Sequence, residues 1–380
     1  MSDKGGGMMR SIKDIKKDKS IKIFTIVFVT AVLSRFLLLG LGLITAKVLG
    51  SDVNLMDFLK ATGDAPHYLD IAVNGYASSG EAANKIVFYP LFPYLIKILG
   101  FVFRSHSFTA LIISYASFGI AAAYLYKLMR IDYSEEKTLD ALLFMFIAPY
   151  GMFFISIHTE SLFLMLSIMC IYYSRKENWL AAAITGFFAA LSKSQGMLLV
   201  VPVAYEAILV CVKNKKFDKK VLWSLLIPMG FAVYLLVNKA VQGDWFAFVG
   251  YQAAAPWYNT AKWVSDSLMT SYNVGVDNFA LSTIIYWPQI VFFFIAVAFV
   301  FTGLYKKVRT SYLAFLGIYT LVTYFHGWML SGSRYITACF VIYVVMASID
   351  NKVIKHIMYI ISGMMCLYLM ALWLTGHAIM

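Results

Sequence analysis

Apolar residues in this chain come in long, nearly unbroken runs, near residues 21–49, 86–103, 107–127, 138–156, 159–174, 178–192, 195–212, 220–239, 284–305, 311–330, 334–349 and 354–375. Short polar phrases separate them. A helix needs about 20 apolar residues to cross a hydrocarbon core, and the runs are of that order. Segments of ~10 residues alternating between apolar and polar, the mark of a membrane barrel, are absent. The pattern predicts an all-α polytopic membrane protein.

Cations cluster between the runs: Lys13 to Lys22, Lys127 to Lys137, Arg175-Lys176, Lys213 to Lys220, Lys306 to Arg309 and Lys352 to Lys355. Such clusters mark cytoplasmic loops. Counted back from the C-terminus, every cluster from Lys127 onward falls on one side. The N-terminal cluster joins them only if 86–103 does not cross. That run carries Pro90, Pro93, a central Lys97 and a terminal Arg104, which suit a helix lying in the interface. The expected arrangement is eleven crossings, with a cytoplasmic N-terminus and an external C-terminus. Residues 1–20 form a cytoplasmic tail and 21–380 a single transmembrane domain, with 50–106 as a first outer loop holding two juxtamembrane helices and 240–283 as a long outer loop. His158-Thr159-Glu160, Lys193-Ser194-Gln195-Gly196 and the stretch from His326 to Tyr335 then reach the same outer face. One active site requires such convergence.

Composition agrees. Of 380 residues 61% are hydrophobic and only 14% charged, where soluble domains carry about a quarter, and mean hydropathy is +0.74. The net charge of +12 resides in the inter-run clusters, with no aromatic-interleaved basic surface, so anionic membrane lipid rather than nucleic acid is the expected contact. Cys170, Cys211, Cys339 and Cys366 lie singly inside apolar runs and read as packing residues. His106, His356 and His377 lack ligand spacing, and His67 with Asp70 does not make a site, so no metal is expected.

The densest polar phrase follows the first run: Gly63-Asp64-Ala65-Pro66-His67-Tyr68-Leu69-Asp70-Ile71-Ala72-Val73-Asn74-Gly75-Tyr76, then Phe88-Tyr89-Pro90-Leu91-Phe92-Pro93. Pro66 suits the first turn of a helix, with Asp64 or Ala65 near its N-cap and His67, Asp70 and Asn74 following at helical spacing. Asp64 is therefore either a cap for backbone N–H groups or a carboxylate free for chemistry at the membrane boundary. Lys193 is a phosphate-facing cation or a snorkelling lysine on a turn. Glu160, with His158, can bind hydroxyls or support Asp64, or can serve the helix N-terminus electrostatically. Arg334 is a second outward cation or an interfacial anchor, with Tyr335 beside it. Arg35, near the middle of the first span, costs at least ~2.5 kcal/mol if unpaired, so it needs a polar partner; Glu206 is a candidate by charge, and the role read for Arg35 is structural support.

The order Asp-Ala-x-His, aromatic-Leu, Ile-Ala, Gly-Tyr, then aromatic-Pro-x-Phe-Pro resembles the PIG-V-like GPI mannosyltransferase II family of the glycosyltransferase C superfamily. Further phrases are similar: Thr159-Glu160-Ser161-Leu162-Phe163, Ser192-Lys193-Ser194-Gln195-Gly196 and Gly243-Asp244-Trp245-Phe246-Ala247-Phe248. Lys193 and Gln195 stand where that family commonly has Arg and Asn. The resemblance implies a glycosyltransferase C-like fold and an inverting transfer of a sugar, most readily mannose, from a polyprenyl-phosphate donor to a lipid or glycan acceptor. It makes Asp64 the general base. Topology and local pattern add His67, Asp70, Glu160, Lys193, Gln195, Asp244, Arg334 and Tyr335 as candidates for substrate binding. No cofactor is implied, since the lipid-phosphate sugar is a co-substrate. A chain without an ER retrieval signal at Gly376-His377-Ala378-Ile379-Met380 suits a prokaryotic plasma membrane. The alternative classes are a transporter or flippase of lipid-linked sugars, which would show internal repeats and paired broken helices not visible here, and a non-catalytic assembly subunit.

Sidedness is checked by Ser79→Cys, Asn214→Cys and Asn259→Cys in intact cells with an impermeant thiol reagent. Labelling is expected at 79 and 259 and not at 214; the reverse pattern refutes the shared outer face.

Overall fold

The computed structural model describes residues 12–278 and 282–379, and all regular structure among them is helical. The α-helices are α1 (Ile12–Val48), α2 (Leu55–Ala61), α3 (Ala65–Asn74), α4 (Leu91–Phe103), α5 (His106–Asp132), α6 (Glu135–Phe146), α7 (Glu160–Arg175), α8 (Trp179–Ser192), α9 (Val200–Asn214), α10 (Ile227–Gln242), α11 (Ala247–Ala253), α12 (Val264–Asp277), α13 (Trp287–Tyr305), α14 (Thr310–Thr323), α15 (Gly332–Thr337), α16 (Val341–Ser348) and α17 (Lys352–Leu374). Residues 12–20, expected as tail, are the first turns of α1; the rest of that expectation, residues 1–11, lies outside the described residues.

Among the described residues, six of the apolar runs form helices long and apolar enough to cross a membrane: 20–48, 106–132, 194–214, 219–242, 284–305 and 352–374. The expected eleven crossings are thus not eleven full-length helices. The run 138–156 stops being α-helical at Phe146, just before Pro149, whose ring and preceding residue both resist the helix. The run 334–349 is split into α15 and α16, and α7, α8 and α14 have 16, 14 and 14 residues. The run 86–103 is no straight span. A 3-10 helix over 81–87 meets α4 at 107°, turning at Pro90. The first loop therefore carries three α-helices and this 3-10 turn, where two juxtamembrane helices were expected. The long loop contains α11 and α12, and its residues 279–281 lie outside the described residues.

Three of the cation clusters, those holding Lys137, Arg175 and Lys306 with Arg309, gather at one end. Arg175 at the end of α7 bonds both oxygens of Asp132, at 2.5 and 2.9 Å, and the Tyr312 hydroxyl. Arg309 grips Glu206 through Nε and Nη2 at 2.5 and 2.6 Å, and Ser311 donates to the same carboxylate. Asp350 accepts from Lys137 and Lys306. The other ends of the same helices reach the first loop: the Gln242 amide donates to the Ala77 carbonyl, the Tyr234 hydroxyl to Ile86, and Trp373 packs edge-on against Phe58.

Arg35 is fully buried, but Glu206 is not its partner, because Glu206 sits with Arg309 and Arg175 at the cationic end. Its Nη2 instead donates to the Phe146 carbonyl, one of those left open where α6 ends, and its guanidinium lies 4.5 Å from the Phe118 ring centroid. Nη1 has no partner.

Removing one side of a buried ion network leaves the other charge stranded, at a cost of about 3–5 kcal/mol. Glu206→Gln is expected to lower the melting temperature in detergent by several degrees, whereas Asp350→Asn, at an exposed pair, leaves it unchanged.

Candidate functional site

Four segments far apart in sequence meet at the end opposite the cation clusters: the three described next and the end of α8, which brings Lys193. The first is the start of α3. Pro66 stands in the first turn of the helix as expected, and Asp64 occupies the N-cap position, yet its carboxylate caps nothing. It turns instead to Arg334, whose Nη2 lies 2.8 Å from Oδ2. The capping alternative is thereby removed. The second segment is the entry to α7, where Glu160 is buried and its Oε1 accepts from Arg334 Nε at 2.6 Å and from Lys193 Nζ at 2.8 Å. The third is α15, which carries Arg334 and Tyr335. Lys193, at the end of α8, is buried rather than snorkelling, and its ammonium stands 3.7 Å from the Tyr335 ring centroid. Arg334 also lies over Phe153, at 4.4 Å.

Two cations and two carboxylates thus form one connected set, Asp64–Arg334–Glu160–Lys193, with Glu160 Oε2 left unpartnered. Asp64 is the member open to solvent, with its side chain 26% exposed. Burial alone would raise its pKa, but the Arg334 guanidinium outweighs that and holds the carboxyl below its ordinary value, so it is ionised at neutral pH.

His158 organises the turn before α3. Its Nδ1 meets the Ser156 hydroxyl at 2.8 Å, and its Nε2 lies 3.4 Å from the Asp64 backbone nitrogen. Burial, reinforced by Arg334, pushes the imidazole down to about 4, so it is neutral near pH 7 and Nε2 can accept. Gly63 makes the approach possible. Its φ is +59°, and a Cβ there would stand 2.8 Å from His158 Nε2. Gly196 is needed for a different closeness, since a Cβ would fall 2.1 Å from the Ala189 carbonyl at the end of α8.

The remaining expected residues are placed differently. His67 stacks on Phe88 at 5.0 Å and meets Trp257 edge-on, one turn from Asp64. Asp70 pairs with Lys85 and accepts from the Asn74 amide, which ties the loop together away from the cluster. Gln195 faces Ser194 and, at 3.5 Å, Thr323. Asp244 is exposed and caps the Phe246 N–H. Gln289 gave no sequence signal, being a lone amide in an apolar run. It bonds the Leu330 carbonyl and the Ser333 N–H, and so fixes the short helix that carries Arg334. Among the described residues no three His, Cys, Asp or Glu side chains are grouped to hold a metal ion.

A family model described as dolichyl-phosphate-mannose-protein mannosyltransferase matches residues 89–240, less than half of the chain. The matched stretch includes Glu160, Lys193 and Gln195 but neither Asp64 nor Arg334. No curated protein matches the chain. With the all-helical architecture, the match supports a polytopic membrane protein of glycosyltransferase C-like fold. It supports the superfamily, not the finer PIG-V-like family.

Gly63→Ala is expected to reduce transferase activity at least about tenfold with little change in melting temperature, because the added methyl displaces His158 and with it Asp64. Gly80→Ala is the control: it has a similar positive φ, +71°, with nothing within 4 Å of a Cβ, and should stay near wild type. Equal losses in both would attribute the effect to backbone strain alone.

Proposed function

We propose that the protein is an inverting glycosyltransferase that moves a sugar, most readily mannose, from a polyprenyl-phosphate donor to a glycolipid or glycan acceptor on the outer face of a prokaryotic plasma membrane. The carrying observation is that the Asp64 carboxylate is not spent on its helix but stands beside Arg334, which shares Glu160 with Lys193. The matched family's description names a polyprenyl-type phosphate mannose as donor, which supports the donor class; it names protein as acceptor, which this reading does not adopt.

In the proposed step the acceptor hydroxyl oxygen attacks the anomeric carbon, the bond from that carbon to the phosphate oxygen breaks, and Asp64 takes the hydroxyl proton. One carboxylate suffices, unlike the pair a glycosidase uses. The departing polyprenyl phosphate is stable as an anion, so cations rather than a general acid assist it, and Arg334 and Lys193 supply them. The same arrangement gives the donor a second effect. A phosphate on Arg334 draws the guanidinium from Asp64 and adds negative charge nearby, and both raise the basicity of the carboxylate. Glu160 keeps the two cations together while this happens. His67, Phe88 and Trp257 form an aromatic wall beside the base, suited to a sugar ring. No metal or cofactor enters the scheme.

Asp64→Asn keeps the size of the side chain but cannot take the proton. Transfer from a polyprenyl-phosphate sugar to lipid-extract acceptors, followed by mass spectrometry, should fall ~10²–10⁴-fold while donor binding persists. Asp70→Asn should have a smaller effect, because Asp70 serves Lys85 and Asn74. Near-normal transfer by Asp64→Asn removes the base assignment, and unchanged movement of lipid-linked sugar across vesicles without transfer would support a flippase.

A further inference from the structure

A cavity of about 420 Å³ lies far from the Asp64 cluster, at the junction of α13 and α14 where they pack on α9. Its lining is Tyr205, Leu209, Leu304, Lys307, Val308, Arg309 and Thr310. Along α14 this is the Thr310 end, whereas Gln195 and the site side meet its other end at Thr323. The cavity has a polar side and an apolar side. Leu209 and Leu304 are 39% and 54% exposed, as residues facing acyl chains would be. Opposite them stand two cations and two hydroxyl-bearing side chains.

The cations are not equivalent. Arg309 spends Nε and Nη2 on Glu206, so its position is fixed by a buried network, and Nη1 is not used by that carboxylate. Lys307 has no carboxylate partner among the described residues. Its backbone φ of +55° and the bonds from Lys307 N to Leu304 O and from Val308 N to Gly303 O close α13 in the manner usually given to glycine. A lysine holds that position at the mouth of the cavity. Three residues on, the 14-residue helix α14 begins at Thr310, whose hydroxyl-bearing side chain belongs to the lining, so the positive end of the helix lies beside the cavity.

We infer that this cavity is a binding site for one anionic phospholipid, its phosphate received by Lys307, Arg309 and Thr310 and its acyl chains lying along Leu209 and Leu304. A zwitterionic lipid offers the same phosphate together with a compensating cation, so the site favours a headgroup with net negative charge. A soluble phosphate would engage the polar side only and leave the leucines unused. The occupant would brace the loop between α13 and α14 and, through Arg309, the Glu206 network. None of this depends on glycosyl transfer.

The test uses the full chain, delipidated in detergent and titrated with phosphatidylglycerol, phosphatidylcholine or inorganic phosphate, read by native mass spectrometry and by melting temperature. Wild type is expected to retain one phosphatidylglycerol and to melt higher with it, and to gain neither effect from the other two. Lys307→Gln should weaken retention about fivefold and Thr310→Val by a smaller factor. Lys215→Gln, which removes a cation that does not line the cavity, should retain the lipid as wild type does. Equal weakening by Lys215→Gln would replace the site with a diffuse basic surface, and stabilisation by inorganic phosphate matching that of phosphatidylglycerol would replace the lipid with a free anion. Either result overturns the inference.

Discussion

The sharing of Arg334 between Asp64 and Glu160 is the contact on which the rest of the site depends. One guanidinium joins the first loop to the entry of α7, and Glu160 passes the connection to Lys193 at the end of α8. Buried ion pairs seldom add net stability, since desolvation offsets much of the attraction. Their contribution is positional: two carboxylates and two cations in contact with one another leave few alternative placements for any of them. Gln289 supports this set from outside, through the Leu330 carbonyl, the Ser333 N–H and, at 3.4 Å, the Ser333 hydroxyl, while spending no charge.

Such a set needs backbone that is not helical. At membrane depth irregular backbone persists only where protein or a cavity satisfies its polar groups. The stretch between α6 and α7 meets that condition, with Ser114 donating to Ser156, Ser161 to Phe154, and Arg35 to the carbonyl at Phe146. The interrupted helices thus bring side chains inward at the Asp64 end.

The sequence made much of this legible, for identifiable reasons. Asp64, Glu160, Lys193, Arg334 and Tyr335 stand next to apolar runs, so the parity of the crossings alone assigns them to a common end. Their pairing was not legible: which cation meets which carboxylate depends on helix tilt, and charge could not tell Arg35 from Arg309 as the partner of Glu206. Asp70 and Asp244 belong to phrases that resemble a family motif, yet local partners take up both carboxylates. Gln289, Ser156 and Phe153 were silent because neutral side chains inside apolar runs look like packing. The continuous apolar run 138–156 hid the end of α6 despite Pro149, and nothing comparable in the sequence stands at the break between α15 and α16.

Arg35 imposes an order on assembly. Its guanidinium is held by a ring on α5 and by a carbonyl at the end of α6, without a counter-charge. When α1 is first made, neither exists. Until the chain reaches Phe146, 111 residues beyond Arg35, the first span carries a cation whose carbonyl partner has not been made. The hydrophobic segment that begins the protein is therefore incomplete as an independent unit, and it becomes a settled part of the membrane only when the chain that follows closes over it.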